Sequence, residues 1–347
     1  MTTTKAARIR VMVVDDSVVI RQVVCDALRG DAGIEIAGQA QNGRVALEKL
    51  LTTQVDVITL DLEMPEMDGL TTLNELKKLH PKIPVVVFST LTERGASATL
   101  EALSRGASDY VCKPSGQRNL TTTMEKIREE LIPKIRALHT RAQMKFGAVK
   151  PPPMAAPIGQ SIPPGPVQLI VIGVSTGGPA ALAEVIPRLP ANLPQPVLIV
   201  QHMPATFTRV LAERLNGTSK LRVREATHQE RIVPGRVYIA PGDNHMRVAG
   251  SPREAWLTLD KGQAENGCRP AADPLFTTAA QVFGAGVMGV VMTGLGHDAT
   301  KGAAAIRKVG GHIWVQDEAS ATVWGMPGSI VQAGYATRIL PLTQIAR

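Results

Sequence analysis

Several residues in the first third of the chain could act as one chemical group: Asp15 and Asp16 in VVDDS, Asp61 in ITLDLEMP, Ser89 in VVVFST and Lys113 in DYVCKP. Each closes a short apolar run of the kind that forms a buried strand. Three carboxylates drawn to one sheet edge repel one another and favour a divalent cation with oxygen ligands, Mg²⁺ being the usual choice beside phosphate. Lys113 and the Ser89 hydroxyl can then hold phosphoryl oxygens, which leaves Asp61 as a nucleophile able to become an acyl phosphate. Taken singly, each aspartate reads as a helix cap or a turn residue. Taken together at matching strand ends, they read as an acidic pocket.

A second group lies further along. Ser175 stands where the strand QLIVIG runs into Val-Ser-Thr-Gly-Gly and a helix. Free backbone N–H groups and the helix N-terminus there favour developing negative charge. Such a glycine-rich turn is equally a phosphate cradle. His202 ends the strand VLIVQHM, and Asp298 follows the strand GVVMTG in GLGHD. If those strands neighbour the first, a Ser–His–Asp arrangement becomes possible, with His202 as base and Asp298 fixing the imidazole. No nucleotide-binding role needs a histidine and a carboxylate at those ends. His245 is the best rival base, His297 merely adjoins Asp298, and Cys268 is a rival nucleophile without a strand-end position.

The elements that must carry these residues follow from periodicity. Residues 9–140 alternate short apolar runs with amphipathic segments five times, which implies a doubly wound parallel sheet covered on both faces. From Ala142 to Pro166 the chain is rich in Pro, Gly and Ala and has no period, so it reads as a linker. From Val167 the alternation resumes, with a β-rich stretch (RVYIAPGDNHMRV, AWLTLD) that reads as hairpins. The second domain is therefore also α/β, with a mostly parallel sheet and an antiparallel hairpin region. The expected domains are 1–125, a helix end and linker over 126–166, and 167–347. In open parallel sheets ligands bind at the carboxyl ends of strands, where both groups fall.

The first group, with VVDDS, LDLEMPEMDG, FST and YVCKP, resembles the receiver domain of bacterial two-component response regulators over residues 8–125. The resemblance implies a flavodoxin-like fold, phosphorylation of Asp61, Mg²⁺ held through Asp15, Asp16 and Asp61, phosphate contacts from Ser89 and Lys113, Tyr110 as a rotameric reporter, and a cis peptide before Pro114. GVSTGG, VQHMP, YIAPGDNHM, NGCRPAADPLF, TGLGHDATKG and QDEASATVWGMP occur as a set and in order. They resemble the catalytic domain of the chemotaxis protein-glutamate methylesterases over about residues 168–345. That resemblance implies Ser175 as nucleophile, His202 as general base, Asp298 as its orienting partner, and the N–H groups of Thr176 and Leu295 as oxyanion donors. It further implies demethylation of receptor glutamates, deamidation of receptor glutamines, and no cofactor for the ester chemistry. Leu295 departs from the family's methionine in TGMG, and Ala299-Thr300 from its common Gly-Ala. A backbone donor tolerates the first change, whereas the second bears on loop shape and rate.

The chain has 347 residues and a formal net charge of +8, which invites a nucleic-acid reading. The distribution argues against it. Residues 1–120 hold 14 Lys and Arg against 15 Asp and Glu, residues 121–166 hold 7 against 3, and residues 167–347 hold 17 against 12. Aromatics are only 3% of the chain, too few for a base-stacking platform. A DNA-binding response regulator needs a helix-turn-helix output domain, where this sequence has α/β alternation and a serine turn. The other alternative is a catalytically idle scaffold. Cys25, Cys112 and Cys268 are far apart and lack metal spacing, which suits a reducing compartment. No apolar run reaches about 18 residues, and the N-terminus lacks a secretory apolar segment. The expected protein is a cytoplasmic monomer without membrane insertion. Its expected partners are chemoreceptor cytoplasmic helices, docking near Arg269 and Met203-Pro204, and a histidine kinase phosphodonor.

Overall fold

The computed structural model describes residues 8–113, 120–146 and 166–346, and it divides into two compact units, residues 1–149 and 150–347. The expected cis bond before Pro114 and most of the expected linker lie outside the described residues.

The first unit runs β1 (Ile9–Val14), α1 (Val18–Arg29), β2 (Ile34–Ala40), α2 (Gly43–Leu50), β3 (Val57–Asp61), α3 (Gly69–Leu79), β4 (Val85–Ser89), α4 (Glu93–Ser104), β5 (Asp109–Cys112) and α5 (Leu120–Phe146). Its five strands are all parallel, in the order β2-β1-β3-β4-β5. β3, β4 and the inner part of β1 are wholly buried, as expected where helices cover both faces. The helices start where short polar residues satisfy the first free N–H groups: Ser17, Asn42, Asp68 and Thr92 each accept from a backbone N–H three residues on. α1 packs against α5, while α2, α3 and α4 pack in series. Ile127, Leu131, Ile135 and Leu138 of α5 recur at helical spacing and are all buried. The helical part of the segment after residue 125 is therefore packed within the first unit.

The second unit runs β6 (Leu169–Val174), α6 (Gly178–Val185), β7 (Val197–Gln201), α7 (Ala205–Thr218), β8 (Arg222–Glu225), β9 (Glu230–Arg231), β10 (Arg236–Ile239), β11 (His245–Ser251), β12 (Glu254–Asp260), α8 (Ala272–Phe283), β13 (Val287–Val291), α9 (Thr300–Lys308), β14 (His312–Gln316), α10 (Gly325–Gln332) and β15 (Arg338–Leu340). Seven parallel strands lie in the order β15-β14-β13-β6-β7-β10-β8. The hairpin β11–β12 does not join them but pairs with β9 in a separate antiparallel sheet. α8 fills the space between β6 and β11 and is apolar on nearly all sides, with Leu275, Phe276, Ala279 and Phe283 buried. That position explains its composition, because a helix covered by a sheet on either side has no solvent face to keep polar.

Candidate active site and phosphoacceptor pocket

In the first unit the register brings the strand ends together. Val14 pairs with Leu60, Asp61 with Phe88 and Ser89 with Cys112, so Asp15, Asp61 and Lys113 follow one another along the sheet edge. This edge is the switch point where β1 separates β2 from β3. Carboxylate oxygens of Asp15, Asp16 and Asp61 lie within 4.8 Å of one another, and Lys113 Nζ lies 2.6 Å from Asp61 Oδ2 and 3.0 Å from Asp15 Oδ2. Burial raises the pKa of Asp15 and of Asp61, and Lys113 offsets this only in part. The lysine itself is disfavoured by burial, but the two carboxylates outweigh that and raise its pKa. One ammonium thus faces two buried carboxylates, with the exposed Asp16 carboxylate grouped beside them, and the surplus of hard oxygen charge fits a divalent cation.

Two further residues bear on this pocket. The Ser89 backbone is at the edge, but its hydroxyl donates to Gly95 O at 3.0 Å and lies 2.6 Å from Thr99 Oγ1, facing α4 and not Asp61. A buried serine satisfies its hydroxyl with the nearest carbonyl, here in the first turns of α4. To reach a phosphoryl group on Asp61 it must leave these partners. Tyr110 is buried, with Lys134 of α5 donating to its carbonyl at 2.6 Å and lying 5.1 Å from its ring centre.

In the second unit β13 and β7 are the two neighbours of β6, so Ser175, His202 and Asp298 all project from adjoining strand ends at a switch point. Val174 pairs with Gln201, and Val291 with Gly173, which sets Ser175 beside His202. His202 Nε2 lies 2.7 Å from Asp298 Oδ2. Ser175 sits in a turn held by its own N–H on Thr293 O (3.0 Å), by Gly178 N–H on its carbonyl (2.7 Å) and by the Gln201 amide on the same carbonyl (3.0 Å). Gly177 has φ 76°, and a Cβ on it would lie 2.5 Å from the Thr322 side chain, so only glycine serves there. A Cβ on Gly294 would come within 2.8 Å of Ser175 Cβ, which makes the second glycine a condition of the serine's position. Ser175 is half-buried, and its hydroxyl makes no hydrogen bond among the described residues. The N–H groups of Thr176 and Leu295 likewise have no acceptor among the described residues.

The loop 293–296 is locked from behind. Thr293 Oγ1 donates to Thr176 O at 2.8 Å, Thr293 N–H donates to Gln316 Oε1 at 2.8 Å, and Gly294 exchanges backbone bonds with Val323 (3.0 Å) and Met326 (2.9 Å). QDEASATVWGMP is therefore the buttress of the TGLG loop.

Asp298 receives five donors: His202 Nε2, Ala272 N–H (2.6 Å), Asp273 N–H (3.2 Å), Ala299 N–H (2.9 Å) and Asn266 Nδ2 (2.9 Å). Burial would raise its pKa, but the imidazole and the N–H groups of Ala272 and Ala299 outweigh burial and bring it to about 2. Burial works against charge on His202 as well. There the hydrogen bonds to Asp298 and Cys268 outweigh it and raise the pKa to about 10. Asn266 also donates to Asp273 Oδ2 at 3.0 Å, joining two buried carboxylates, and Cys268 Sγ lies 3.4 Å from His202 Nδ1.

Of the sequence rivals, His245 is fully buried with both nitrogens engaged, by Ala271 N–H (3.2 Å) and Gln263 O (2.9 Å), and has no lone pair to offer. His297 is exposed. Met203 is only 5% exposed and offers no rim contact, because it turns inward ahead of α7, whereas Pro204 and Arg269 remain accessible. Arg269 is held by Asp243 Oδ1 (3.0 Å from Nε) and Gly262 O (2.7 Å). Asn266 and Asp273 were not anticipated, although NGCRPAAD contains both an Asn-Gly turn signal and a carboxylate in the first turn of α8.

Together the two units define a response-regulator receiver fold and an α/β hydrolase unit with a strand-end serine, histidine and aspartate. Residues 11–125 match the family model of the response regulator receiver domain, and residues 170–347 match that of the CheB methylesterase. The chain belongs to the CheB methylesterase family. It is 49% identical over 343 residues to a Caulobacter vibrioides protein named protein-glutamate methylesterase/protein-glutamine glutaminase 2, covering 97% of this chain and 96% of that one. A Nocardioides protein named protein-glutamate methylesterase/protein-glutamine glutaminase is 46% identical over 342 residues, covering 97% of this chain and 93% of the other. Among solved structures, the Thermotoga maritima CheB methylesterase catalytic domain is similar at 42% identity and a TM-score of 0.51, covering 52% of this chain and 96% of that one.

Proposed function

We propose that the chain is a phosphorylation-regulated serine hydrolase that removes methyl groups from glutamate side chains of chemoreceptors and deamidates receptor glutamines. The observation that carries the proposal is the His202–Asp298 pair at 2.7 Å beside a serine turn with unengaged N–H groups. Ser175 Oγ attacks the γ-carbonyl of the receptor side chain, and His202 takes the serine proton. Thr176 and Leu295 N–H groups stabilise the oxyanion, by a few kcal/mol each as a rough scale. His202 returns the proton to the leaving methanol or ammonia, then activates the water that hydrolyses the acyl-enzyme. Asp298 keeps the imidazole in one tautomer throughout.

The regulatory part of the proposal assigns residues 1–125 to the receiver, 126–166 to the helix end and linker, and 167–347 to catalysis. Asp61 accepts the phosphoryl group from a histidine kinase, with Lys113 and, after reorientation, Ser89 on its oxygens. Asp15, Asp16 and Asp61 would hold Mg²⁺, which supplies charge neutralisation to the transferring phosphoryl group. Tyr110 reports the switch. The protein works as a monomer in the cytoplasm on receptor helices, without nucleic acid. No helix among the described residues is long and apolar enough to cross a membrane.

Methanol release from methylated receptor tests this directly. Ser175→Ala is expected to lower the rate by at least about 10³-fold, and an unchanged rate would sink the nucleophile assignment. Phosphodonor with Mg²⁺ should activate the native chain and leave Asp61→Asn at its basal rate. Equal activation of both would remove Asp61 from the control.

A further inference from the structure

Asp298 holds Nε2 of His202, so the imidazole has a single nitrogen left for proton transfer, Nδ1. That nitrogen lies 3.4 Å from Cys268 Sγ, while the Ser175 hydroxyl makes no hydrogen bond among the described residues. Thiol and hydroxyl therefore compete for one nitrogen, the sulfur as acceptor of its N–H in the protonated ring and the hydroxyl as donor to its lone pair in the neutral one. We infer that Cys268 is a positioning residue that restrains the catalytic base, its thiol occupying in the resting state the imidazole nitrogen that must take the proton of Ser175. The inference rests on the assignment of His202 as base and deepens it.

The thiol is not there by loose packing. Glu265 and Cys268 exchange both backbone bonds, Glu265 N–H to Cys268 O at 3.1 Å and Cys268 N–H to Glu265 O at 2.9 Å. Asn266 and Gly267 between them have φ of 53° and 75°, the two positive values that a tight two-residue hairpin turn demands and that an Asn-Gly pair supplies. The tip of this turn is pinned at one side by the Asn266 amide on Asp298 and Asp273. At the other side the Arg269 guanidinium is fixed on Asp243 and on the carbonyls of Lys261 and Gly262. One turn thus clamps both members of the acid–base pair, through Asn266 on the carboxylate and Cys268 on the imidazole. The turn also argues against Cys268 as the nucleophile itself, since its own N–H is engaged by Glu265 and cannot serve an oxyanion beside the sulfur.

The electrostatic consequence follows. Asp298, from the loop between β13 and α9, and Cys268, from the 265–268 turn, are the titratable groups that bear on the imidazole, with Asp273 behind Asp298 across Asn266. Both direct neighbours favour the protonated ring, and a protonated ring cannot accept from Ser175. Removing the thiol removes one of the two contributions and frees Nδ1 in the same step.

The test uses the full chain as native protein, Cys268→Ala and Cys268→Ser, with two readouts: the titration of His202 by NMR of labelled histidine, and kcat/KM for methanol release against pH. Cys268→Ala is expected to lower the His202 midpoint by at least one pH unit. The acid limb of kcat/KM should move down with it and the rate at pH 6 should rise at least fivefold, with KM unchanged. Cys268→Ser, which keeps a hydroxyl on Nδ1, should hold both readouts nearer to the native protein. An unmoved midpoint in Cys268→Ala overturns the inference alone, and so does a fall of its rate below one tenth of the native value. A midpoint that falls while the acid limb stays overturns the assignment of His202 as base, and with it the inference.

Discussion

The two sites are built on the same plan and treat their carboxylates in opposite ways. Asp15, Asp61 and Asp298 each lie at or beyond the carboxyl end of a parallel strand at a switch point, and each is about 97% buried or more. Yet the pKa of the first two is raised and that of the third falls to about 2. Burial therefore does not set the sign. Asp61 has Lys113 and a 3.3 Å bond from Glu63 N–H, and Asp15 has the same lysine and Ser17 N–H, whereas Asp298 has five donors. The receiver pocket keeps lone pairs in hand, which a cation can take up. The hydrolase carboxylate has none to spare, and its role is to hold a ring still.

That contrast can be broken at several points. The largest effect is expected from Asp298→Asn, which replaces an acceptor of five donors by an amide that presents N–H to some of them. Methanol release should fall by about 10³- to 10⁴-fold, and a loss under tenfold would mean that orientation of His202 comes from elsewhere. Next is the acid stability of the second unit. Because the folded pKa of Asp298 lies below its ordinary 3.8, the unfolded chain binds more protons between those values. Its stabilisation, on the order of 2 kcal/mol, is present above about pH 4 to 5 and is lost as pH falls toward 2. His202 acts in the other direction: with its pKa raised from 6.5 to about 10, its share is full below 6.5 and is lost as pH rises through 10. Urea midpoints against pH should therefore slope in both limbs for the native chain, and Asp298→Asn should lose the acid slope and flatten the alkaline one. Parallel curves would contradict the pairing.

Smaller again is the response of the receiver pocket to Mg²⁺. At ten times its dissociation constant the ion should stabilise the first unit by about 1.4 kcal/mol, seen as a rise in Tm, with no rise in Asp61→Asn. A rise of the same size in both would place the ion elsewhere. The smallest effect is expected at Ala299, whose φ of 74° lies in the left-handed region that costs an alanine about 1 kcal/mol. Ala299→Gly should gain less than about 1 kcal/mol in denaturant unfolding, because the lost methyl is itself buried. A loss of stability would show that methyl packing outweighs the backbone strain.

Ala299 also shows how far the sequence could be read. Its departure from the family's glycine was visible, but the positive φ that gives it meaning was not. The strand-end residues were legible because a parallel sheet forces its strands to end at one edge, so Asp15, Asp61 and Lys113 could be grouped from the apolar runs, and Ser175, His202 and Asp298 on the further condition that their strands are neighbours, with the family motifs deciding against the rivals. Residues that reach a site from a loop obey no such rule. Cys268 and Asn266 arrive through a hairpin turn, and Asp273 through the first turn of α8, so their neighbours depend on tertiary packing. Ser89 is the converse case: its place in the chain put it at the edge, and a local choice between hydrogen-bond partners turned its hydroxyl away. The antiparallel hairpin was legible as strands, but its separation from the main sheet depends on α8 passing between them.

One feature of α5 bears on where the chain can be cut. Lys134 lies beyond the receiver match, which ends at residue 125, yet its ammonium is 3.0 Å from Asp109 Oδ2, a carboxylate only 3% exposed on β5. Arg136 pairs with Asp31 at 2.6 Å, and Arg128 donates to Ala27 O at 3.1 Å. A fragment trimmed at residue 125 would retain all five strands while stranding a buried anion, at a cost of about 3–5 kcal/mol. It would also uncover the apolar stripe from Ile127 to Leu138. Since a small domain has only about 5–15 kcal/mol in hand, the smallest autonomous folding unit here extends well past the sequence signature that advertises it.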